Sequence, residues 1–489
     1  MYLNYRGILR VIAVFLMVMG AAMIPSVIVG IIYKEQHQLL VFTATGISLL
    51  LAGFVMLKAL PFSGKSFKTR DGFLVVASCW MLAGLAGAVP YYFAGFGISP
   101  ISCIFESVSG FTTTGATTFS DVEILPHSLL FWRSFSQWLG GFGIVFVPIA
   151  LLPALGIEGY SIVRAEMSGT IVNKVTPKLS DTARHMLAIL TVYTLFETIM
   201  LMFGGLSFFD ALTHSFTTMS TGGFSNYNDN IGHFGSNYVY CVFSFFMFLA
   251  GIDISLHARL LTGHVKELVT DPEPRYYLTF FASATALITF YVLYTGVGKG
   301  FFNVLSKSAF HVLVTLTTCG FYSADFDIWP SFAKLLLLCL AVIGGCISST
   351  SGGIKVFRFV IFMKMIKRGI MLRLHPNAVF EIKFGDRKVS SDVIQSVTGF
   401  VFLYIILLTA GTGILTFAGT DTLHSFVAVL ACINNLGPAL LLGGSVLNYG
   451  VFHDIIKLVL CFIMLAGRLE LTTMIVIFSR HFWNPNLSK

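Results

Sequence analysis

Thr112-Thr113-Thr114-Gly115-Ala116-Thr117-Thr118 is a run of small, mostly polar residues lodged between stretches apolar enough for lipid. Such a run carries weight when it recurs, and this one does. "TTTGAT" at 112–117, "MSTGGFS" at 219–225, "TTCGFYS" at 317–323 and "NNLGPAL" at 434–440 share one form. Aligned on Gly115, Gly222, Gly320 and Gly437, they repeat at a period of roughly a hundred residues.

The surroundings repeat as well. A short apolar run precedes each glycine, at 101–109, 208–216, 304–315 and 423–433. Each is too short to cross a hydrocarbon core of about 30 Å. A polar stretch and a longer apolar helix follow. That helix carries "WLGG" at 138–141, "FLAG" at 248–251, "VIGG" at 342–345 or "MLAG" at 464–467, at a nearly constant distance beyond the first glycine. Each unit therefore reads as spanning helix, half-span helix, polar loop, spanning helix. The first helices are expected near 73–95, 184–203, 277–296 and 395–417. The second are expected near 130–152, 236–261, 332–365 and 454–480. Two further spans, 11–32 and 39–59, precede the first unit, making about ten spans and four re-entrant helices in all.

Composition agrees with a membrane chain. Of 489 residues 56% are hydrophobic and 11% charged, with mean hydropathy +0.83, against about 25% charged in an ordinary soluble domain. The expected class is an all-α polytopic membrane protein: four pseudo-symmetric helix–pore helix–filter loop–helix repeats around one ion pathway, plus two N-terminal transmembrane helices. The divisions are 1–70 for those two helices, then 71–160, 161–265, 266–390 and 391–489 for repeats 1 to 4. The third repeat includes an intramembrane loop and a cytoplasmic hairpin.

Most of the 31 Lys and Arg fall in 1–10, 58–70, 154–186, 257–277, 355–390 and 480–489, which puts those segments in the cytoplasm. Segments starting near 34, 97, 206, 299 and 420 face the other side. The N-terminus, with Arg6 and Arg10, is expected inside, with no small-residue cleavage site. No eukaryotic targeting feature occurs, so a bacterial inner membrane is expected. Because the basic residues lie in loops between spans, the net charge of +8 does not point to nucleic acid. The eight Cys are scattered without a CxxC, so neither a redox nor a metal site is read from them.

Non-helical backbone at membrane depth is tolerable only when buried in protein or lining water. Four such loops around an axis supply a shared lining. Half-length helices aim the partial negative charge of their C-termini at a cation, and rings of carbonyls replace the hydration shell of potassium. Glycine permits the backbone angles this needs. No Asp or Glu falls within the four passages. Glu106, Asp210, Asp229, Asp325, Asp327 and Asp421 are expected outside, as solvated residues or as attractors of cations at the mouth.

"GGCISSTSGG" at 344–353 breaks the second helix of unit three at mid-span. It is expected just below the loops as a mobile constriction, the alternative being a helix kink. Arg468 follows the landmark of unit four and faces a polar interior. Glu470, two residues on, is on another side of the helix. Asp253 is a second ionisable candidate. Residues 355–390 hold nine Lys and Arg, and "FEIKFGDRKVS" at 380–390 reads as a hairpin around Gly385-Asp386. That charge suits anionic lipid headgroups or a cytoplasmic protein. There is no HExxH, GxSxG, GxGxxG after a strand or GxxxxGK[ST]. No catalytic residue and no bound cofactor are expected. His185, His214, His257, His264 and His311 read as structural or surface residues.

On "TTTGAT", "STGGFS", "TTCGFYS", "NNLGPA", "GGCISSTSGGIKVFR" and "AGRLELTT", the whole chain resembles the bacterial Trk/Ktr potassium-uptake superfamily, in its TrkH/TrkG branch. The two extra N-terminal spans favour that branch. The resemblance implies a potassium filter at 112–116, 219–223, 317–321 and 434–438. The site residues carried over are Thr112, Thr113, Thr114, Gly115, Ser220, Thr221, Gly222, Thr317, Thr318, Cys319, Gly320, Asn434, Asn435, Leu436 and Gly437. It implies a gate of Gly344, Gly345, Cys346, Ile347, Ser348, Ser349, Thr350, Ser351, Gly352 and Gly353 with Arg468. It also implies a homodimer and a separate ATP- or NAD-binding regulatory subunit of the TrkA type. Asn434, Asn435 and Pro438 depart from the Thr-rich form, so the site is only pseudo-fourfold. The expected function is potassium uptake, with coupling of potassium to a proton or sodium gradient as the alternative.

Overall fold

The computed structural model describes residues 3–60, 68–143, 179–261, 270–323, 328–437, 448–469 and 471–483. Asp325, Asp327, His264, Pro438, Glu470 and the far part of the helix expected over 130–152 lie outside them, as do most of the basic segments 58–70, 154–186 and 480–489.

The described chain is helical except for one two-stranded ribbon. It opens with α1 (Tyr5–Ala22), α2 (Ile24–Ile32) and α3 (Gln36–Ala59). Pro25 sits in the first turn of α2 and marks its break from α1. α1 and α3 pack closely because small residues meet: a Cβ on Gly53 would lie 2.5 Å from the Ala13 carbonyl oxygen.

Grouped by the divisions expected from the sequence, repeat 1 comprises α4 (Thr69–Phe93), α5 (Pro100–Phe111) and α6 (His127–Gly141). Repeat 2 comprises α7 (Leu179–Phe203), α8 (Phe208–Met219), α9 (Asn237–Ala250) and α10 (Ile254–Leu261). Repeat 3 comprises α11 (Pro272–Tyr294), α12 (Phe301–Leu316), α13 (Ser331–Ile343) and α14 (Val356–Leu374). Repeat 4 comprises α15 (Ser391–Phe417), α16 (Thr422–Ile433), α17 (Asp454–Arg468) and α18 (Leu471–Phe478).

Six spans among the described residues are long and apolar enough to cross a bilayer: Tyr5–Ile32, Gln36–Ala59, Arg70–Phe93, His185–Phe203, Pro272–Tyr294 and Ser391–Phe417. They are the two N-terminal spans and the first helix of every repeat. The second helices are less regular than their apolar patterns suggest. In repeat 2 the helix expected over 236–261 turns by 96° between α9 and α10. Asp253 explains the turn, since its Oδ1 accepts the Ser255 N–H at 2.7 Å and caps α10. In repeat 3 the break falls at 344–355, as the Gly- and Ser-rich run requires.

The half-length helices α5, α8, α12 and α16 have 12, 12, 16 and 12 residues, so they reach only about 18–24 Å. Three of them are capped at their N-termini by side chains, while α12 follows Gly300 without a side-chain cap. Ser99 Oγ accepts the Ser102 N–H at 3.1 Å, Ser207 Oγ accepts that of Asp210 at 3.1 Å, and the Asp421 carboxylate accepts those of Leu423 and His424. Their inner ends are buried at the centre of the molecule. The hairpin expected at 380–390 is present: Lys383–Phe384 pairs antiparallel with Arg387–Lys388, and Gly385 takes φ 59° in the two-residue turn.

Candidate ion-conduction site

The four half-helices end in the same way. At each C-terminus three successive amides turn back onto the last turn. Thr112, Ser220, Thr317 and Asn434 donate to the carbonyl four residues earlier. Thr113, Thr221, Thr318 and Asn435 donate three residues back, and Thr114, Gly222, Cys319 and Leu436 five residues back. This is the Schellman arrangement, with a left-handed residue just past the helix. Glycine is the usual occupant of that place. Here it is held by Thr113, Thr221, Thr318 and Asn435, with φ of 56°, 54°, 56° and 50°. A β-branched residue in that region is strained, and such strain gathers where backbone geometry is functional.

This pattern corrects the alignment of the second passage. The place of Gly115 and Gly320 belongs to Gly223, with φ of 79°, 83° and 77° respectively. Gly222 stands level with Thr114, Cys319 and Leu436. Two adjacent glycines hid the one-residue offset, because a sequence alignment cannot tell which of them carries the left-handed backbone.

The loops close on one another in chain order. A Cβ on Gly115 would lie 2.1 Å from the Gly222 oxygen, and one on Gly223 2.1 Å from the Cys319 oxygen. One on Gly320 would lie 2.6 Å from the Gly437 nitrogen, and one on Gly437 3.1 Å from the Thr114 oxygen. These contacts run from loop 1 to 2 to 3 to 4 and back to 1, so the four passages form a closed ring. The fourth, despite its different residues, is tied in by Asn435, whose Nδ2 donates to Thr114 Oγ1 at 3.1 Å and to the Met464 oxygen at 3.0 Å.

The 344–353 loop is pressed against this ring. Gly352 N–H donates to Thr318 Oγ1 at 2.7 Å, and a Cβ on Gly352 would lie 1.9 Å from the Asn434 oxygen. Thr350 Oγ1 donates to the Met219 oxygen at 3.2 Å, at the end of α8. The ends of the excursion are clasped, since Ile354 and Lys355 donate to the Val342 and Ile343 oxygens at 3.1 and 2.8 Å. Glu273 Oε1 accepts the amides of Ile347 at 2.9 Å and Phe357 at 3.3 Å. Lys355, itself at φ 80°, donates its Nζ to the Ser351 oxygen. Arg468 reaches the loop: Nη1 donates to the Thr350 oxygen at 2.8 Å, while Nη2 donates to the Gly140 and Gly141 oxygens at 2.8 and 3.2 Å.

Glu106 is not at the mouth. It is fully buried and paired with buried Arg133, Nε to Oε1 at 2.9 Å. It also accepts from Thr117 Oγ1 at 3.0 Å and from the Thr118 amide at 2.8 Å, which holds the limb leaving loop 1. His214 and His311 do corresponding work, with Nε2 2.9 Å from Ser225 Oγ and 3.1 Å from Ser323 Oγ. Glu106, His214 and His311 all stand six residues before the first loop residue, and Ala428 takes that place in repeat 4. That common spacing was the signal available in the sequence. Asp210, likewise expected as a mouth residue, bonds to Ser207, Asn226 and Tyr227.

A ring of strained backbone at the meeting point of four half-helices, beside six membrane-length helices among the described residues, marks a multi-pass membrane protein. The sequence profile of the TrkH family, described as "Cation transport protein", matches residues 38–488. The chain is 34% identical to the Trk system potassium uptake protein TrkH of Salmonella typhimurium, over 98% of this chain and 100% of that one. It is 35% identical to the protein of the same description from Halomonas elongata, with the same coverage. It is 34% identical to Trk system potassium uptake protein TrkG of Escherichia coli, over 94% of this chain and 95% of that one. The crystal structure of the potassium transporter TrkH from Vibrio parahaemolyticus superposes with a TM-score of 0.89 at 31% identity, covering 99% of this chain and 100% of that one. The chain belongs to the TrkH family.

Proposed function

We propose that this chain takes up potassium through the ring of residues 112–115, 220–223, 317–320 and 434–437. The closed circuit of the four loops carries the reading. It gathers backbone oxygens of four half-helices about one axis, at the ends where the helix dipoles are negative. The 344–353 loop is the gate. It lies across the ends of α8 and the third and fourth loops, held by Arg468, Lys355 and Glu273. Coupling to a proton or sodium gradient is less well supported. Asp253 is engaged as a helix cap and Arg468 as a donor to three carbonyls, which leaves neither as an evident carrier.

The relatives are described as parts of a Trk system, which agrees with more than one component. The cytoplasmic surface around α14 and the ribbon, where Lys364 Nζ donates to the Lys383 oxygen at 2.6 Å, suits a nucleotide-binding regulatory subunit of the TrkA type. In this reading the chain is a homodimer in a bacterial inner membrane with its N-terminus inside, and it contacts membrane lipids but no nucleic acid. No cofactor is required, and potassium is the transported substrate.

The test is potassium and sodium flux into liposomes containing the purified chain, with and without Gly115→Ser. Potassium preference that the serine weakens supports the filter. Equal flux of both ions, indifferent to residue 115, overturns it. If the native gate passes neither ion, deletion within 344–353 opens the same comparison.

A further inference from the structure

The four loops are not held alike. Loop 2 carries Gly222 where the others carry Thr114, Cys319 and Leu436, and the reason lies on α6. A Cβ on Gly222 would lie 2.3 Å from the carboxamide carbon of Gln137, 2.4 Å from its Oε1 and 2.7 Å from its Nε2. The amide of Gln137 occupies the space a side chain would need. Its Nε2 donates to the Gly222 oxygen at 2.8 Å, and its Oε1 accepts the Phe224 N–H at 3.2 Å. One turn earlier on the same face, Arg133 Nη1 donates to the Ser225 oxygen at 3.1 Å, and its guanidinium lies 4.2 Å from the Phe224 ring centroid. Both side chains are buried. Three backbone groups of the second loop, at 222, 224 and 225, are therefore set by side chains of repeat 1.

Among the described residues no such pair of helix side chains serves the other loops. Gly251 stands against Thr317 as Gly141 stands against Ser220, and Gly467 against Ile433 as Gly140 against Phe111. Counting back from those contacts, the places of Arg133 and Gln137 are held by Phe243 and Met247 in repeat 2 and by Leu460 and Met464 in repeat 4. In repeat 3, α13 is apolar from Leu335 to Ile343.

We infer that Gln137 is a positioning residue for ion selectivity: its amide fixes the Gly222 carbonyl in the ring, with Arg133 holding the limb above. This rests on reading the ring as the ion filter. A carbonyl held by a buried amide keeps its direction when the ion leaves. A carbonyl held only by loop packing is free to follow a smaller ion inward. Gln137 thus stiffens the side of the ring shared by loops 1 and 2, and the second glycine of "TGG" is the counterpart that admits it.

The test reads ion binding without needing the gate to open. The purified full chain in detergent is unfolded thermally across titrations of KCl and of NaCl, at constant ionic strength. The native chain is expected to be stabilised at lower potassium than sodium. Gln137→Met, which installs the side chain found at the same place in repeat 2, is expected to raise the half-saturating potassium concentration about fivefold, the loss of roughly one hydrogen bond, and to narrow the gap to sodium. Met247→Leu should leave both unchanged. The unfolding temperature without either ion reads any merely structural loss. If Gln137→Met does not yield folded protein, Gln137→Leu supplies the same reading. Unchanged half-saturation and an unchanged gap overturn the role of Gln137. A native chain equally indifferent to both ions overturns the filter reading beneath it.

Discussion

Thr318 Oγ1 accepts the Gly352 N–H at 2.7 Å, so a residue of the third loop and the 344–353 segment share one buried hydrogen bond. The same threonine holds the left-handed position of its loop, at φ 56°. Strained backbone and the proposed gate are therefore joined at one residue, so a shift of the 344–353 segment is expected to be felt directly in the ring.

Thr318→Val keeps the volume and removes the acceptor. The Gly352 amide is then buried without a partner, at about 1–3 kcal/mol. Because that cost falls on the arrangement in which the loop sits under the ring, the variant is expected to favour the displaced loop. Potassium flux into liposomes should rise several-fold over the native chain. Flux at or below the native level would show that this bond does not hold the gate shut.

Arg468 supplies the second tie. Its two Nη atoms divide between the Thr350 oxygen and the oxygens of Gly140 and Gly141, a forked geometry that a lysine ammonium does not reproduce. Arg468→Ala is expected to raise basal flux, and Arg468→Lys to raise it less. Equal behaviour of the two would show that charge alone matters at this position. An unchanged alanine variant would remove Arg468 from the gate.

The threonines at positive φ store strain that glycine would release. Thr113→Gly is expected to raise the unfolding free energy by up to about 1 kcal/mol, offset in part by the flexibility glycine brings to the unfolded chain. Potassium preference should fall at the same time. A variant that melts earlier and keeps its selectivity would show that the threonine is there for packing, not for the shape of the loop.

The repeat was legible because its period, its half-length helices and its glycines are all written in one dimension. So were the helix break at 344–355 and the ribbon, since a Gly- and Ser-rich run in mid-span and a Gly-Asp between alternating residues each allow few local structures. What escaped depends on partners far apart in the chain. Glu106 looked solvated because nothing local shows Arg133 folding back onto it. The offset at Gly222 and Gly223 was hidden because the residue that decides it, Gln137, lies on another repeat's helix.

Glu106 and Arg133 make the sharpest energetic case. Both side chains are almost completely buried, at 0% and 2% exposure, with Nε 2.9 Å from Oε1. The carboxylate also accepts from Thr117 and Thr118, and the guanidinium also donates to the Ser225 oxygen. Removing one partner strands the other charge, which costs about 3–5 kcal/mol. Glu106→Leu is therefore expected to lower the unfolding temperature sharply. Removing both charges strands neither. Glu106→Leu with Arg133→Met should recover a large part of the loss, because an apolar pair of similar volume often matches a buried ion pair in stability. What it should not recover is the hold on the limbs of loops 1 and 2, so potassium preference stays impaired while stability returns. A double variant no more stable than Glu106→Leu alone would mean that the hydrogen bonds to Thr117, Thr118 and Ser225, not the stranded charge, account for the loss.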